Sequence, residues 1–315
     1  MLNYRIIDAH CDTLSLMADK KVDLSNTSNH VSIRKLKTGN VGIQFFAVWI
    51  DPKYRLSSCL KNGLNIIECY HKMLETHKDT FYPILTYKDA LNALKSEKIG
   101  CMLTIEGGDI LEGELKNLKK LYELGVRAMA LTWNYTNEIS SGICNTDDTD
   151  SGLTTFGKEV VQTMNDLGMI IDVSHISYRG FWDVYELSDR PIIASHSNAR
   201  AKCNNIRNLD DRQLEGIAKK EGIVGINFNP PFLSNDRTAN IIDIIRHIEY
   251  IAGLVGIDYI GFGSDFDGID RVPSGIHGSE SFPKIIEELL KLNYKEEHIF
   301  KICHGNMLRV MKATL

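Results

Sequence analysis

Residues 6–13, IIDAHCDT, form a short apolar run that ends in His10-x-Asp12. Side chains of an extended chain alternate faces, so His10 and Asp12 point one way and Cys11 the other. An imidazole beside a carboxylate can begin a metal site. H-x-D alone is weak evidence, because it arises by chance in many chains. Its weight here comes from recurrence: metal-ligand residue types follow further apolar runs down the whole chain.

Eight such runs occupy residues 4–8, 41–48, 100–105, 126–131, 169–173, 191–194, 223–228 and 259–263. Several, such as GMIIDV and GIVGINF, are apolar on both faces, as parallel strands covered on both sides must be. Helical spacing fills the intervals at 58–78, 87–96, 114–124, 155–167, 177–187, 210–220, 241–254 and 283–292, with a terminal helix pair over 295–310. Ser177 suits an N-cap, and the acidic LDD stretch suits a helix N-terminus. Alternating β/α units predict one (β/α)8 TIM barrel over residues 1–315, against a doubly wound open sheet as competitor.

Composition narrows the function. The 315-residue chain is 43% hydrophobic, with a net charge of −5 and no dense Lys/Arg run. Nucleic acid and anionic membrane surfaces are therefore not expected partners. No run of about 18 apolar residues predicts a membrane span, and neither end reads as a secretory signal or lipid anchor. The seven scattered cysteines, with no C-x-x-C, read as reduced thiols of a cytoplasmic protein.

The remaining candidates follow the runs. Glu106 comes after the third, His175 after the fifth, His196 after the sixth and Asp265 after the eighth. Barrel enzymes place their chemistry at this C-terminal end of the strands. Each residue has a plain structural reading as a polar pair, a helix-entry acid, a loop histidine or a turn acid. Three histidines and three carboxylates on one rim point instead to a two-metal hydrolase. His30, His71, His77, His247, His277, His298 and His304 follow no predicted core strand and read mostly as surface residues. Cys11 faces the helix layer. The Ser-His pairs at 174–175 and 195–196 lack a G-x-S-x-G elbow and make no serine nucleophile.

The motifs IIDAHCDTL, IEGGD, LTWNYTNEISSG, IDVSHIS, PIIASHSNARA, IRNLDD, GIVGINF, GFGSDFDGI and GNMLRV occur in this order nearly end to end. In them the chain resembles the membrane (renal) dipeptidase family of zinc dipeptidases, in its soluble bacterial-type form. The resemblance implies a barrel with two divalent ions, zinc being expected, although N/O ligands also accept manganese, cobalt or iron. His10 and Asp12 would bind one ion, His175 and His196 the other, and Glu106 both. Asp265 would handle protons, and Arg207 would hold the substrate's terminal carboxylate with its planar fork. A homodimer is also implied. The sequence departs from the family at Trp133, where mammalian members carry a substrate-binding histidine. Trp133 is read either as a substrate contact or as packing.

The implied activity is hydrolysis of a dipeptide with a free C-terminal carboxylate by a metal-bridging hydroxide. Asp265 would pass the proton to the leaving amine. Asp8 and Asp172 are read as partners orienting the histidines or as polar barrel filling, and Asp267 as loop support. Loops 52–58 and 268–281 are read as able to close over the cleft. The rivals are an amidohydrolase-type deacylase or lactonase, a non-catalytic metal-binding homologue and a phosphoesterase. H-x-D with a glutamate, rather than H-x-H with a modified lysine, favours the dipeptidase.

Overall fold

The computed structural model describes residues 4–20, 22–25, 29–55, 58–146 and 148–315. Its strands are β1 (Ile6–Asp8), β2 (Val41–Trp49), β3 (Phe81–Pro83), β4 (Ile99–Glu106), β5 (Val126–Ala130), β6 (Ile170–Asp172), β7 (Ile192–Ala194), β8 (Ile223–Ile226) and β9 (Ile260–Phe262). All pair in parallel, and β2 pairs with β4, which closes eight strands into a ring. The open-sheet alternative is thereby excluded. β3 is additional to the eight expected runs. It pairs with Ile99–Cys101 of β4, just below the point where β5 takes over that edge at Leu103.

The near-continuous apolar character of the strands has the expected cause, since both faces are buried. Met102, Ala128, Ile170, Ile193 and Ile223 belong to one cluster with Ile7, Ile43 and Phe45. Helix Tyr87–Lys95 adds Ala90 and Ala93 to it, and the C-terminal helix Asn306–Thr314 adds Met307, Val310 and Met311. Alternate strand residues such as Leu103, Ile105, Met129, Ile171 and Val224 join the larger cluster under the surrounding helices.

Most helices lie where the periodicity places them. Thr155–Leu167 begins after Thr154, whose side chain accepts from Gly157 N–H. Asp210 and Gln213 form a reciprocal capping box before Asp211–Lys219. The terminal pair is a continuous helical run, Glu296–Phe300, a π-turn at Lys301–Gly305, then Asn306–Thr314. Among the described residues three α-helices had no sequence expectation, Thr13–Lys20, Ile33–Thr38 and the single turn Pro230–Leu233. The first matters most, because it forms one wall of the cleft over the barrel.

Candidate metal centre

Each candidate hangs from a strand end. Regular β1 stops at Asp8, but Cys11 still bridges Phe266, which keeps the chain extended as it carries His10 and Asp12 to the rim. Glu106 is the last residue of β4. His175 and Asp265 hold left-handed backbone, with φ of 67° and 63°. Such conformations are uncommon outside glycine and cluster at functional sites. The sequence carried no sign of them.

His10, Asp12, Glu106, His175, His196 and Asp265 are all buried and meet in one cluster. His10 Nε2 lies 3.3 Å from Asp12 Oδ2, 3.7 Å from Glu106 Oε2 and 4.0 Å from Asp265 Oδ1. Glu106 Oε1 lies 2.9 Å from His175 Nε2 and 3.4 Å from His196 Nε2. The two Nε2 atoms are 2.9 Å apart. Nδ1 of His175 faces Asn134 Oδ1 at 2.8 Å, and Nδ1 of His196 faces Ser195 Oγ at 2.7 Å. Both second nitrogens are thus engaged, and both Nε2 atoms turn inward.

The electrostatics suit a cation. Burial drives His175 and His196 well below the ordinary imidazole pKa, so both rings stay neutral. Burial also works against charge on His10, yet Glu106, Asp12 and Asp265 surround it and raise it to about 10. Burial and the Asp12 charge push Glu106 well above the usual carboxylate range. Asp12 Oδ1 is buried with no hydrogen-bond partner among the described residues. Inward Nε2 lone pairs, an orphaned carboxylate oxygen and clustered acids form a site that divalent ions would complete. His10–Glu106–His196 and His10–Asp12–Asp265 each bring three ligand atoms within 4.8 Å of one another, and Glu106 Oε1 forms a tighter trio with the Nε2 atoms of His175 and His196. Only the first cuts across the division that the resemblance implies; the His10–Asp12 grouping and the Glu106–His175–His196 trio follow it. Gly268 leaves the room: a Cβ there would lie 2.1 Å from Asp12 Oδ2 and 2.7 Å from Asp265 Oδ1.

Above the cluster opens a cleft of about 320 Å³. Arg207 lines it, buried, with Nη2 donating to the His196 carbonyl at 3.3 Å and Nε without a partner. Burial lowers its pKa, which Asp265 and Glu106 oppose. Trp133 is half-buried on the wall, edge-on to Trp49 with ring centres 5.5 Å apart and 6.1 Å from the His175 ring. Its position is therefore a cleft-facing one. Ser15, Leu16 and Asp19, from the unexpected helix Thr13–Lys20, also line the cleft.

Other expectations divide. Of residues 268–281, Gly268 lines the cleft. Of residues 52–58, Tyr54 lines an adjoining cavity, while residues 56 and 57 lie outside the described ones. Asp267 supports its loop, accepting from Thr13 Oγ1 at 2.7 Å and His30 N–H at 2.7 Å. Cys11 is buried in the outer cluster, as expected. The surface reading fails for His247, which is fully buried between Ala199 and Leu233. It also fails for His30, whose Nδ1 accepts from Asp267 N–H, and for His304, whose Nδ1 faces the Arg5 carbonyl at 2.7 Å. Sequence reasoning missed Asn134, Asn227 and Ser264, and weighed Ser195 only as a nucleophile. Asn134 and the two serines sit beside residues already singled out, and that adjacency was the one available signal.

The family model for membrane dipeptidase, peptidase family M19, matches residues 1–315. Human Dipeptidase 3 is 32% identical over all of this chain, which spans 66% of that relative's length. A metallopeptidase from Rhodobacter sphaeroides, liganded with a phosphinate mimic of the dipeptide L-Ala-D-Ala, superposes with a TM-score of 0.92 at 26% identity, covering 99% of each chain. A dipeptidase of metallopeptidase family M19 gives a TM-score of 0.93 at 26% identity, with the same coverage.

Proposed function

The chain belongs to the membrane dipeptidase family, peptidase family M19, and from that premise we propose that it is a metal-dependent dipeptidase. Its substrates would be dipeptides with a free C-terminal carboxylate. One observation carries the reading: Asp12, Glu106 and His175 of the ligand cluster line the same small cleft as the buried Arg207.

His10, Asp12, Glu106, His175 and His196 would hold two divalent ions, with zinc the proposed metal. When bound, the ions supply Lewis acidity, which makes a water nucleophilic near neutral pH and polarises the scissile carbonyl. The chain's residues do the rest. Arg207 binds the terminal carboxylate through a bidentate fork and so selects against internal peptide bonds. Asp265 Oδ1 accepts the attacking water's proton and delivers it to the amine nitrogen, which leaves poorly without one. Trp49, Trp133 and Phe232 line the cleft and limit water around the reacting bond. Trp133 offers one N–H and no charge, so it adds little to carbonyl stabilisation.

The R. sphaeroides relative holds a mimic with a C-terminal D residue, which supports a D residue at that position here. All seven cysteines are free, in keeping with a cytoplasmic location. A homodimer is proposed on family grounds alone. Deacylation of an N-acyl amino acid is the second reading, because Arg207 would hold that carboxylate equally well.

The test is metal content together with hydrolysis of L-L and L-D dipeptides, their C-terminal amides and N-acetyl amino acids. About two ions per chain, with cleavage of the free dipeptides only, supports the proposal. Cleavage of the N-acetyl amino acids alone selects the second reading. A folded chain that binds no offered metal overturns both.

A further inference from the structure

Beneath the ligand cluster lies a buried carboxylate to which the reaction assigns no task. Asp172, at the end of β6, accepts from Ser174 N–H at 2.9 Å and Ser195 N–H at 3.0 Å, both through Oδ1. Its Oδ2 is 2.5 Å from Ser195 Oγ. That hydroxyl lies 2.7 Å from His196 Nδ1. Ser174 Oγ in turn accepts from His196 N–H at 3.2 Å. One side chain therefore ties together the strand ends that carry His175 and His196.

The hydrogens order this chain of contacts. A serine hydroxyl has a single hydrogen, and a carboxylate only accepts. Asp172 Oδ2 takes the Ser195 hydrogen, which leaves Ser195 Oγ as an acceptor towards His196. The His196 ring must then carry its hydrogen on Nδ1. We infer that Asp172, acting through the Ser195 hydroxyl, is a positioning residue that fixes the tautomer of His196 and presents Nε2 as a lone pair for metal. Outer partners of this kind orient ligand histidines and raise their basicity. Asn134 Oδ1 does the same for His175 directly, without an intermediary.

This inference rests on the proposed role of His196 as a ligand, and its test separates the two. Zn²⁺ affinity is measured by chelator competition on the full chain, with melting of the metal-free protein alongside. Ser195→Ala removes the hydroxyl but keeps both backbone bonds to Asp172, so the tie between strands survives. It is expected to melt like wild type and to bind Zn²⁺ about 10–100-fold more weakly, with Ser195→Thr restoring affinity. Asp172→Asn is expected to weaken binding more than Ser195→Ala. Its Oδ1 still serves the two backbone N–H groups, but its amide donates to Ser195 Oγ. The Ser195 hydrogen then turns to Nδ1 and forces the hydrogen of His196 onto Nε2. In wild type an exchange-protected Nδ1–H resonance from His196 is expected, and Asp172→Asn should lack it.

A role limited to joining strands predicts wild-type affinity in Ser195→Ala, and that result overturns the inference. If Ser195→Ala melts early, Asp172→Asn set against Ser195→Thr decides. Weakened binding in the first with wild-type binding in the second supports the relay, and equal affinity refutes it. A folded wild type that binds no Zn²⁺ removes the ligand assignment itself.

Discussion

Asn227 donates its side-chain amide to Asp265 Oδ2 over 2.9 Å, while Asp265 Oδ1 faces His10 Nε2 at 4.0 Å. One oxygen is held, and the other is turned towards the candidate ligand cluster, where a proton would be exchanged. Asp265→Asn keeps the shape and can still accept from Asn227, but it cannot take a proton. We expect kcat to fall by about 10²–10⁴-fold, with metal content unchanged. Steady-state kinetics and metal analysis on one preparation check this. Loss of metal in the variant would make Asp265 a ligand instead, as its place within 4.8 Å of His10 and Asp12 also permits.

The same carboxylate sets an acid limit. Burial raises the Asp265 pKa to about 6, with His10 pulling it down and Asp12 pushing it up. Bound cations would draw it lower still. The base must be ionised, so activity is lost as pH falls through the folded-state pKa. The acid limb of the kcat/KM profile is expected at about 6 or below in the metal-loaded enzyme. A limb above about 7 would show that another group controls the acid side.

Much of this centre is legible in the sequence because strand ends in a closed parallel barrel converge. His10, Glu106, His175, His196 and Asp265 each follow an apolar run, so recognising the runs locates the candidate site residues. The supporting bonds are not legible, because they join distant segments. Ser264 reaches Asp8 across 256 positions, with its N–H and hydroxyl 2.8 and 2.6 Å from the Asp8 carboxylate. No periodicity encodes that pairing, and it makes Asp8 a tie between β1 and the end of β9. β3 was missed because three residues, Phe-Tyr-Pro, are too few to show a period. Helix Thr13–Lys20 was missed because Thr13, Ser15, Asp19 and Lys20 blur its apolar face.

Arg207 offers a sharper test of substrate class. Among the described residues its buried Nε has no partner, and its Nη2 has only the His196 carbonyl. A substrate carboxylate would supply the missing acceptors. Hydrogen bonds to charged groups contribute about 1.5–3 kcal/mol each. Arg207→Ala is therefore expected to lower kcat/KM by roughly 10²-fold or more for free dipeptides. Lysine lacks the fork, so Arg207→Lys should recover little of it. Dipeptide amides, expected to be poor substrates of the unaltered chain, should lose little further in either variant. An equal loss on both substrate types would place Arg207 in the chemistry or the folding rather than in carboxylate binding.

His247 supplies a pH dependence that does not involve catalysis. Its Nδ1 accepts from Ala199 N–H at 3.2 Å, and its Nε2–H donates to the Leu233 carbonyl at 3.1 Å. A second ring hydrogen would point at Ala199 N–H, and burial further lowers the pKa from 6.5 to about 4. The unfolded chain gains a proton on this residue below about pH 6.5, whereas the folded chain resists it until about 4. The stabilisation is full above 6.5 and is lost as pH falls through this window, by up to about 3 kcal/mol. His247→Gln has no titrating ring. Urea unfolding of both proteins at pH 7 and pH 5 should show wild type losing more stability than the variant. Parallel losses would mean that His247 gains its proton as readily in the fold as outside it.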